Sequence, residues 1–442
     1  MSRASWSARV SAFTLASLLT AAGPARATPQ DLFGFGTRSP GLAMTGVSFS
    51  DDYESAFVNP AGAARARRRG IHLGLQAAAF DLQLDGARFP MDSARGMTIG
   101  ATLPLPFGDV LKDRLGIAIG VYTPQQVLLR GQVYYPEVVQ WPVLSRAQSL
   151  AVQVGLGVDL HDTALDGVRV GAGISALANV LGDLDVRLDE TNRFVSTVET
   201  QLLASFSPIA GVMYQRGAWD AGLVYRHESR SEMNLIIRTA DLPVSLPVLT
   251  VGGLVQYDAP QLAGELSFRP APDVRLIGNL TARFWSAYPG PTRPTSASSL
   301  LAPAPGFADT VSPRIAVEGT LRGPRVSLAL RAGYAFEPTA SPPARIAQRR
   351  MGDGSLATAM GEALQVPLRY LDNDRHVLTA GLGFAYDIAP SQRLRIDAFG
   401  QMHALLDRTH EISASGDPLD EDRAMQTGGL IMVGGWTFAL EY

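Results

Sequence analysis

From residue 70 onward apolar residues recur at every second position, the mark of strands with two distinct faces. The last segment is the clearest. Leu430, Met432, Gly434, Trp436, Phe438, Leu440 and Tyr442 share one face, with Thr437, Ala439 and Glu441 on the other. Leu328, Leu330, Ala332, Tyr334 and Phe336 oppose Ser327, Arg331, Gly333 and Glu337 in the same way. Leu378, Ala380, Leu382, Phe384 and Tyr386 oppose Thr379, Gly381, Gly383 and Asp387. Each apolar face is about ten residues long, enough for a tilted strand to cross a bilayer core. The opposite faces carry charge, which suits a wet or filled lumen.

Fourteen strands follow from this pattern: 70–84, 95–104, 113–122, 148–160, 167–180, 201–216, 218–239, 262–270, 273–288, 311–322, 324–337, 375–388, 392–410 and 424–442. Residues 248–257 read either as a further strand or as loop. The connections alternate, six short and seven long, as fourteen antiparallel strands require when both termini lie on one side. Outer-membrane barrels have short periplasmic turns and long external loops, and closure of an even-numbered barrel leaves no sheet edge in lipid. The pattern therefore predicts an all-β fold, a 14-stranded antiparallel transmembrane β-barrel of the bacterial outer membrane. A soluble β-sandwich is the alternative, at the cost of many exposed apolar faces. Trp219, Phe284, Trp285, Tyr288, Tyr386 and Trp436 fall near strand ends, where interfacial girdles sit.

Composition narrows the function. Residues 1–27 read as a secretory signal peptide, with Arg3 and Arg9 before the apolar run Val10–Ala22 and a small-residue site at Ala25-Arg26-Ala27. No later run of 18 apolar residues suggests a membrane helix. Without cysteines there is no disulfide framework or thiolate metal site, and a net charge of −3 gives no case for nucleic acid.

Residues 28–66 form a second region, followed by the barrel at 67–442. Gly34 to Ala64 is rich in Gly, Ala, Ser and Asp and lacks strand alternation. Asp51, Asp52 and Asn59 carry side chains that bond nearby backbone, and Pro60 favours an extended Asn59. This stretch reads as a compact plug inside the barrel, or as a loose surface arm.

The letters add a resemblance. Gly36-Thr37-Arg38 with Gly41, then Asp51-Asp52, then Ala56-Phe57-Val58-Asn59-Pro60-Ala61-Gly62 resemble the N-terminal hatch of the FadL/TodX family of outer-membrane transporters for hydrophobic compounds. Arg331 to Phe336, Ser341-Pro342-Pro343 and Leu371-Asp372-Asn373-Asp374-Arg375 resemble that family's distal barrel, with Leu371 where a proline is expected. The resemblance implies a plugged barrel that passively takes up long-chain fatty acids or similar lipophilic compounds. It assigns Asp51, Asp52, Asn59, Pro60 and Ala61 to the plug. It also implies a kinked third strand, which Gly116 and Gly120 would permit. Some relatives instead dock or shuttle secreted proteins, which is the alternative function; a general porin is a third.

Two further sets of residues are candidate sites. The connection 123–147 is unusually apolar for an external loop. Leu128, Leu129, Tyr134, Tyr135, Val139, Trp141 and Leu144 would either capture ligand or pack loops over the mouth. Arg283, Arg314 and Arg331, on three successive charged faces, form a basic lumen wall partly balanced by Glu318. That wall would hold a carboxylate head group or anchor the plug through salt bridges. The acidic clusters Asp183, Asp185, Asp189, Glu190 and Asp417, Asp420, Glu421, Asp422 lack EF-hand spacing and read as solvated loops that divalent ions bridge to lipopolysaccharide. No nucleophile, zinc or phosphate-loop motif appears, and His72, His227 and His403 sit singly within strands. The expected protein is not an enzyme, has no cofactor or metal, and is a monomer. Its expected partners are outer-membrane lipids, lipopolysaccharide and a hydrophobic small molecule.

Overall fold

The structure, a computed structural model, describes residues 29–91, 93–107, 113–125, 150–188, 194–240, 249–290, 297, 300–359, 361–368, 370–411 and 424–442. Residues 1–27, read as a signal peptide, lie outside the described residues. So do Leu128, Leu129, Tyr134, Tyr135, Val139, Trp141 and Leu144, and the acidic residues Asp189, Glu190, Asp417, Asp420, Glu421 and Asp422.

Sixteen strands carry the architecture. They are β1 (Gly70–Leu84), β2 (Ala94–Leu105), β3 (Leu115–Pro124), β4 (Ala151–Asp159), β5 (Val168–Leu188), β6 (Phe194–Arg216), β7 (Trp219–Arg226) and β8 (Ser229–Ala240). There follow β9 (Leu249–Asp258), β10 (Gln261–Ala271), β11 (Val274–Arg283), β12 (Thr310–Arg322), β13 (Val326–Glu337), β14 (Arg375–Ala389), β15 (Gln392–His410) and β16 (Met425–Glu441). All except β8 and β9 pair with their neighbours antiparallel around a ring. The ring closes where β1 pairs β16, from Gly70↔Glu441 to Leu84↔Thr427. The result is a closed fourteen-stranded barrel. Arg69 and Tyr442 exchange backbone hydrogen bonds of 3.0 and 2.8 Å, which fixes both ends of the wall at the short-turn rim.

Alternation sorts the side chains as the sequence requires. On β12, Ile315 is 62% exposed on the outside while the adjacent Arg314 is 5% exposed inside. Leu280, Leu382 and Leu73 likewise face outward. An outward apolar band over a polar interior is the pattern of a strand that meets lipid on one face.

The lumen is filled by residues 29–66, which contain helix α1 (Pro29–Phe33), helix α2 (Ser55–Val58) and two 3-10 turns, Pro40–Leu42 and Pro60–Arg65. The turn Pro60–Arg65 touches β2 to β6, while Pro40–Leu42 touches β12 to β15 on the opposite wall. A segment that meets both walls lies inside. Phe35, Leu42, Phe49, Tyr53 and Asn59 are all buried there.

Several expectations need correction. The strand expected at 218–239 breaks after Arg226, and its second half leaves the wall. β4 covers β5 only as far as Leu177, so the edge of β5 beyond that point is open. β8 takes it in parallel, from Val180↔Met233 to Arg187↔Ala240. Ser231 Oγ donates to Ala178 O at 2.6 Å, and Glu232 N donates to Asn179 Oδ1 at 3.1 Å to start the pairing. His227 consequently sits at the break rather than within a strand. The ambiguous 248–257 is strand β9, paired with β8. Residues 181–200 are mostly not loop: β5 and β6 pair as far as Leu188↔Phe194. Asp183 lies within β5 and pairs with Arg238 at 2.8 Å, so it is no free loop carboxylate. Trp285 and Tyr288 turn inward to an aromatic cluster instead of joining a girdle, whereas Trp219, Phe284, Tyr386 and Trp436 do face outward.

Candidate functional site: plug, lumen and outer vestibule

The plug is seated by its own turns and by the wall. Pro60 opens a 3-10 turn, where its fixed φ suits the first position. Asn59 before it is extended (φ −162°, ψ 109°), and its Oδ1 accepts from Ala61 N at 3.1 Å. Its Nδ2 donates to Val47 O at 2.7 Å and to Val212 O of β6 at 3.2 Å. One side chain therefore ties two plug turns to the wall. Glu54 closes the other end of the plug: its carboxylate accepts from the backbone of Thr37 (2.7 Å), Arg38 (2.8 Å) and Ser39 (2.9 Å). From the wall, Glu265 accepts from Gly46 N at 2.8 Å and Ser48 N at 2.9 Å.

Gly116 and Gly120 lie on the inward face of β3, beneath the plug. A Cβ at Gly116 would meet the Ala63 carbonyl, and one at Gly120 would meet the Phe35 ring. The register of β3 against β2 and β4 runs unbroken through both positions. Here the glycines make room for the plug.

Among the ion pairs of the described residues, two systems take in the three arginines. In the first, Asp51 pairs with Arg38 at 2.9 Å, and Arg38 grips Glu318 of β12 at 2.7 and 3.0 Å. Arg331 bonds Glu318 at 2.8 Å and Asp397 at 2.7 Å. Arg395 holds Asp397 at 3.0 Å and Asp52 at 3.4 Å. The circuit leaves the plug at Asp51 and returns at Asp52. In the second system, Glu337 lies between Arg283 (2.6 Å) and Arg314 (2.8 Å). Arg314 also donates to Met44 O at 3.1 Å, and Arg283 stands 3.4 Å from Asp31.

The three arginines thus do not make one basic wall. Arg283 and Arg314 share an acid, while Arg331 belongs to the other circuit. The reason is register: Glu318 of β12 stands directly opposite Arg331 of β13, while Glu337, at the end of β13, reaches Arg283 of β11 and Arg314 of β12. Such buried guanidinium groups need paired carboxylates to offset desolvation. Arg395, Glu337, Asp397 and Glu265 are the ion-pair and plug-contact residues that the sequence reading did not single out; their inward parity was visible, but their partners depend on strand register. Arg38 was read only as part of the plug motif.

Above the plug, at the end with the long connections, lies a vestibule. Tyr288 and Phe307 stack at 5.1 Å and 14°, and Tyr257 (5.2 Å from Tyr288), Trp285 (6.2 Å from Phe307) and Tyr370 (4.8 Å from Phe307) surround them. Beside this cluster is a cavity of about 40 Å³, walled by Trp285 and Phe307, floored by Asp31 and Leu32 of the plug, and bordered by Asn373 and Arg375. It joins an apolar wall to polar groups directly over the closed lumen, and nothing in it forms a nucleophile–base pair. Among the described residues no cluster of His, Asp or Glu forms a metal site.

Fold and filled lumen together define a plugged β-barrel of the bacterial outer-membrane class. Neither a protein-family model nor a curated protein matches the sequence. Solved structures do match. The chain is similar to a Pseudomonas aeruginosa FadL homologue, with a TM-score of 0.57 and 15% identity over 92% of this chain and 97% of that one. It is also similar to the P. putida toluene transporter TodX, with a TM-score of 0.51 and 11% identity over 93% and 99% of the two chains. At these identities the likeness is one of fold, and the fold is that of the FadL-type plugged barrels.

Proposed function

We propose that this protein admits hydrophobic small molecules through the outer membrane by passive, diffusion-driven passage. The observation that carries the reading is the aromatic-walled vestibule set directly on a plug that blocks the lumen. A cavity that sets an aromatic wall against convergent polar and charged groups can hold and orient a small molecule. The shared fold with a FadL homologue and a toluene transporter supports it. In this reading the apolar stretch with Trp141 gathers the molecule, the vestibule holds it, and displacement of plug residues around Asn59-Pro60-Ala61 opens the exit.

Tracer uptake in cells lacking their own transporter, paired with binding to detergent-purified protein, tests the proposal. Wild-type protein is expected to accelerate uptake of an apolar tracer. Trp285→Ala and Trp141→Asp should each weaken binding by about tenfold or more, as the loss of an aromatic anchor predicts. If wild-type protein binds no hydrophobic molecule yet co-purifies with a secreted protein, the docking role replaces uptake.

A further inference from the structure

The path of the chain between β7 and β10 crosses the mouth of the barrel. β6 pairs with β7 on one side and with one edge of β5 on the other, while β8 lies on the opposite edge of β5. Residues 227–232, which lead from β7 to β8, must therefore pass over β6 and β5. They pass on the inner face. Ser207 is buried on that face while its neighbour Phe206 is exposed outside. Ser207 Oγ donates to His227 O at 2.9 Å, and Ser205 Oγ, on the same face, donates to Arg230 O at 2.5 Å. On β5, Ala178 O accepts from Ser231 Oγ at 2.6 Å. Three serine hydroxyls thus hold the crossing to the inside of the wall, next to one backbone bond from His227 N to Pro208 O at 3.0 Å.

β9 brings the chain back over the same mouth. Its residues Leu254, Gln256 and Tyr257 are buried, and the Tyr257 ring stands 5.2 Å from Tyr288 and 6.1 Å from Trp285. Those two partners come from the connection between β11 and β12, so the contact joins two parts of the rim above the vestibule. The chain re-enters the wall at Gln261, which pairs directly with Arg226, the residue where it left. β8 and β9 therefore leave and rejoin the wall at one pair of neighbouring residues. Tyr257 Oη also donates to Glu228 Oε2 at 3.0 Å and ties the two arms together beside that pair. Hinges are built from such element-terminal positions. Farther out, β8 is attached to β5 by a parallel ladder, the weaker kind of strand pairing.

We propose that β8 and β9 are an outer lid, which lifts from β5 and β6 about Arg226 and Gln261 and withdraws Tyr257 from Trp285 and Tyr288 to open the vestibule. The lid and the plug then act as two gates in series. The motion stands on the geometry of the flap, and its part in passage rests on the uptake reading.

The chain has no cysteines, so single introduced thiols report the motion. Leu254→Cys places one under the lid, at a position 1% exposed, and Ser48→Cys places one in the plug, also buried. Each is labelled with a polar maleimide in the full detergent-solubilised protein. Ser205→Ala with Ser231→Ala removes two hydrogen bonds of the crossing. The pair should speed labelling of Leu254→Cys about tenfold or more and leave labelling of Ser48→Cys unchanged. Tyr257→Phe, a milder variant that loses only the bond to Glu228, should speed it about threefold. Val180→Cys with Met233→Cys, a registered pair of the β5–β8 ladder, should lock the lid when oxidised. Uptake of an apolar tracer is then expected to stop and to return with a reductant. Unchanged labelling of Leu254→Cys in both variants, or an equal gain at Ser48→Cys, overturns the lid, since the hydroxyls would then brace the whole barrel. Full uptake through the oxidised pair overturns it too. If the wild type takes up no tracer, the uptake reading fails and the labelling alone decides whether the lid opens.

Discussion

The side-chain amide of Asn59 occupies the space that a Cβ on Gly211 of β6 would need. The plug is seated against a glycine of the wall, and Asn59 Nδ2 reaches past it to Val212 O at 3.2 Å. Gly211→Ala should therefore unseat the plug without breaking the strand. The expected loss is about 1–3 kcal/mol, the usual range for overpacking a filled site. Protease nicking of residues 29–66 should quicken while the barrel keeps its heat-modifiable gel mobility. Asn59→Ala should loosen the plug through its lost hydrogen bonds. Combined with Gly211→Ala it should cost less than the sum, because the clashing amide is gone. Strict additivity would mean that the two residues do not meet.

The circuit from Asp51 to Asp52 makes a second prediction. Arg331→Met removes two charge-assisted bonds, but Glu318 keeps Arg38 and Asp397 keeps Arg395. The cost should be about 1.5–3 kcal/mol, below that of stranding a buried ion outright. Adding Asp397→Asn should restore part of it, since the acid left short of a partner is neutralised. A thermal-unfolding double-mutant cycle measures the coupling, and an uncoupled pair contradicts the circuit.

Much of this barrel was legible in the chain. Ile315 outside and Arg314 inside follow from parity alone, and short turns such as Gly217 mark one rim. What parity does not carry is which strand an element joins. β8 alternates like any wall strand, yet it pairs in parallel with β5 because β4 leaves that edge open. Leu184, Val186 and Leu188 alternate with Asp183, Asp185 and Arg187, a strand pattern hidden by its acidic residues. At the site, the plug letters were readable, and so was a salt network around Glu318 as one of two readings of Arg283, Arg314 and Arg331, but the full set of partners was not. It depends on Glu337, Glu318 and Asp397 arriving from other strands.

The plug should respond to pH through Glu54. Burial, reinforced by Asp52, pushes its carboxyl up to about 8, and the three backbone N–H donors that favour the charged form only partly oppose this. A folded pKa above the unfolded value means that the folded protein holds the proton more tightly. The resulting stability is fully present below about 4.5, the ordinary glutamate value, and is lost as pH rises through about 8. Hydrogen exchange at Thr37, Arg38 and Ser39, corrected for intrinsic rates, should show falling protection from pH 5 to 9. Glu54→Gln should lower protection throughout, since an amide NH₂ cannot accept from Ser39, but should flatten the pH dependence. A pH-independent wild type would show that Glu54 stays charged.

Whether the plug must move for passage can be tested at one contact. Ser48 Oγ of the plug and Ser267 Oγ of β10 are 3.2 Å apart, and the chain has no cysteines. Ser48→Cys with Ser267→Cys places two thiols where a small adjustment brings the sulfurs to the ~2.05 Å of a disulfide. Ser48 also accepts a bond back from Arg65 through its carbonyl and donates its backbone N–H to Glu265, so this turn is held from several sides. A covalent tether there pins the middle of the plug while leaving the vestibule untouched. Oxidised double mutant should bind ligand at the outer mouth with wild-type affinity yet lose uptake, and a reductant should restore it. Each single mutant should transport normally under both conditions, which separates the tether from the loss of the serines. Full uptake with the disulfide shown to be formed would mean that the plug stays in place around Ser48. Passage would then run past α1 along the Arg283–Arg314 side of the lumen.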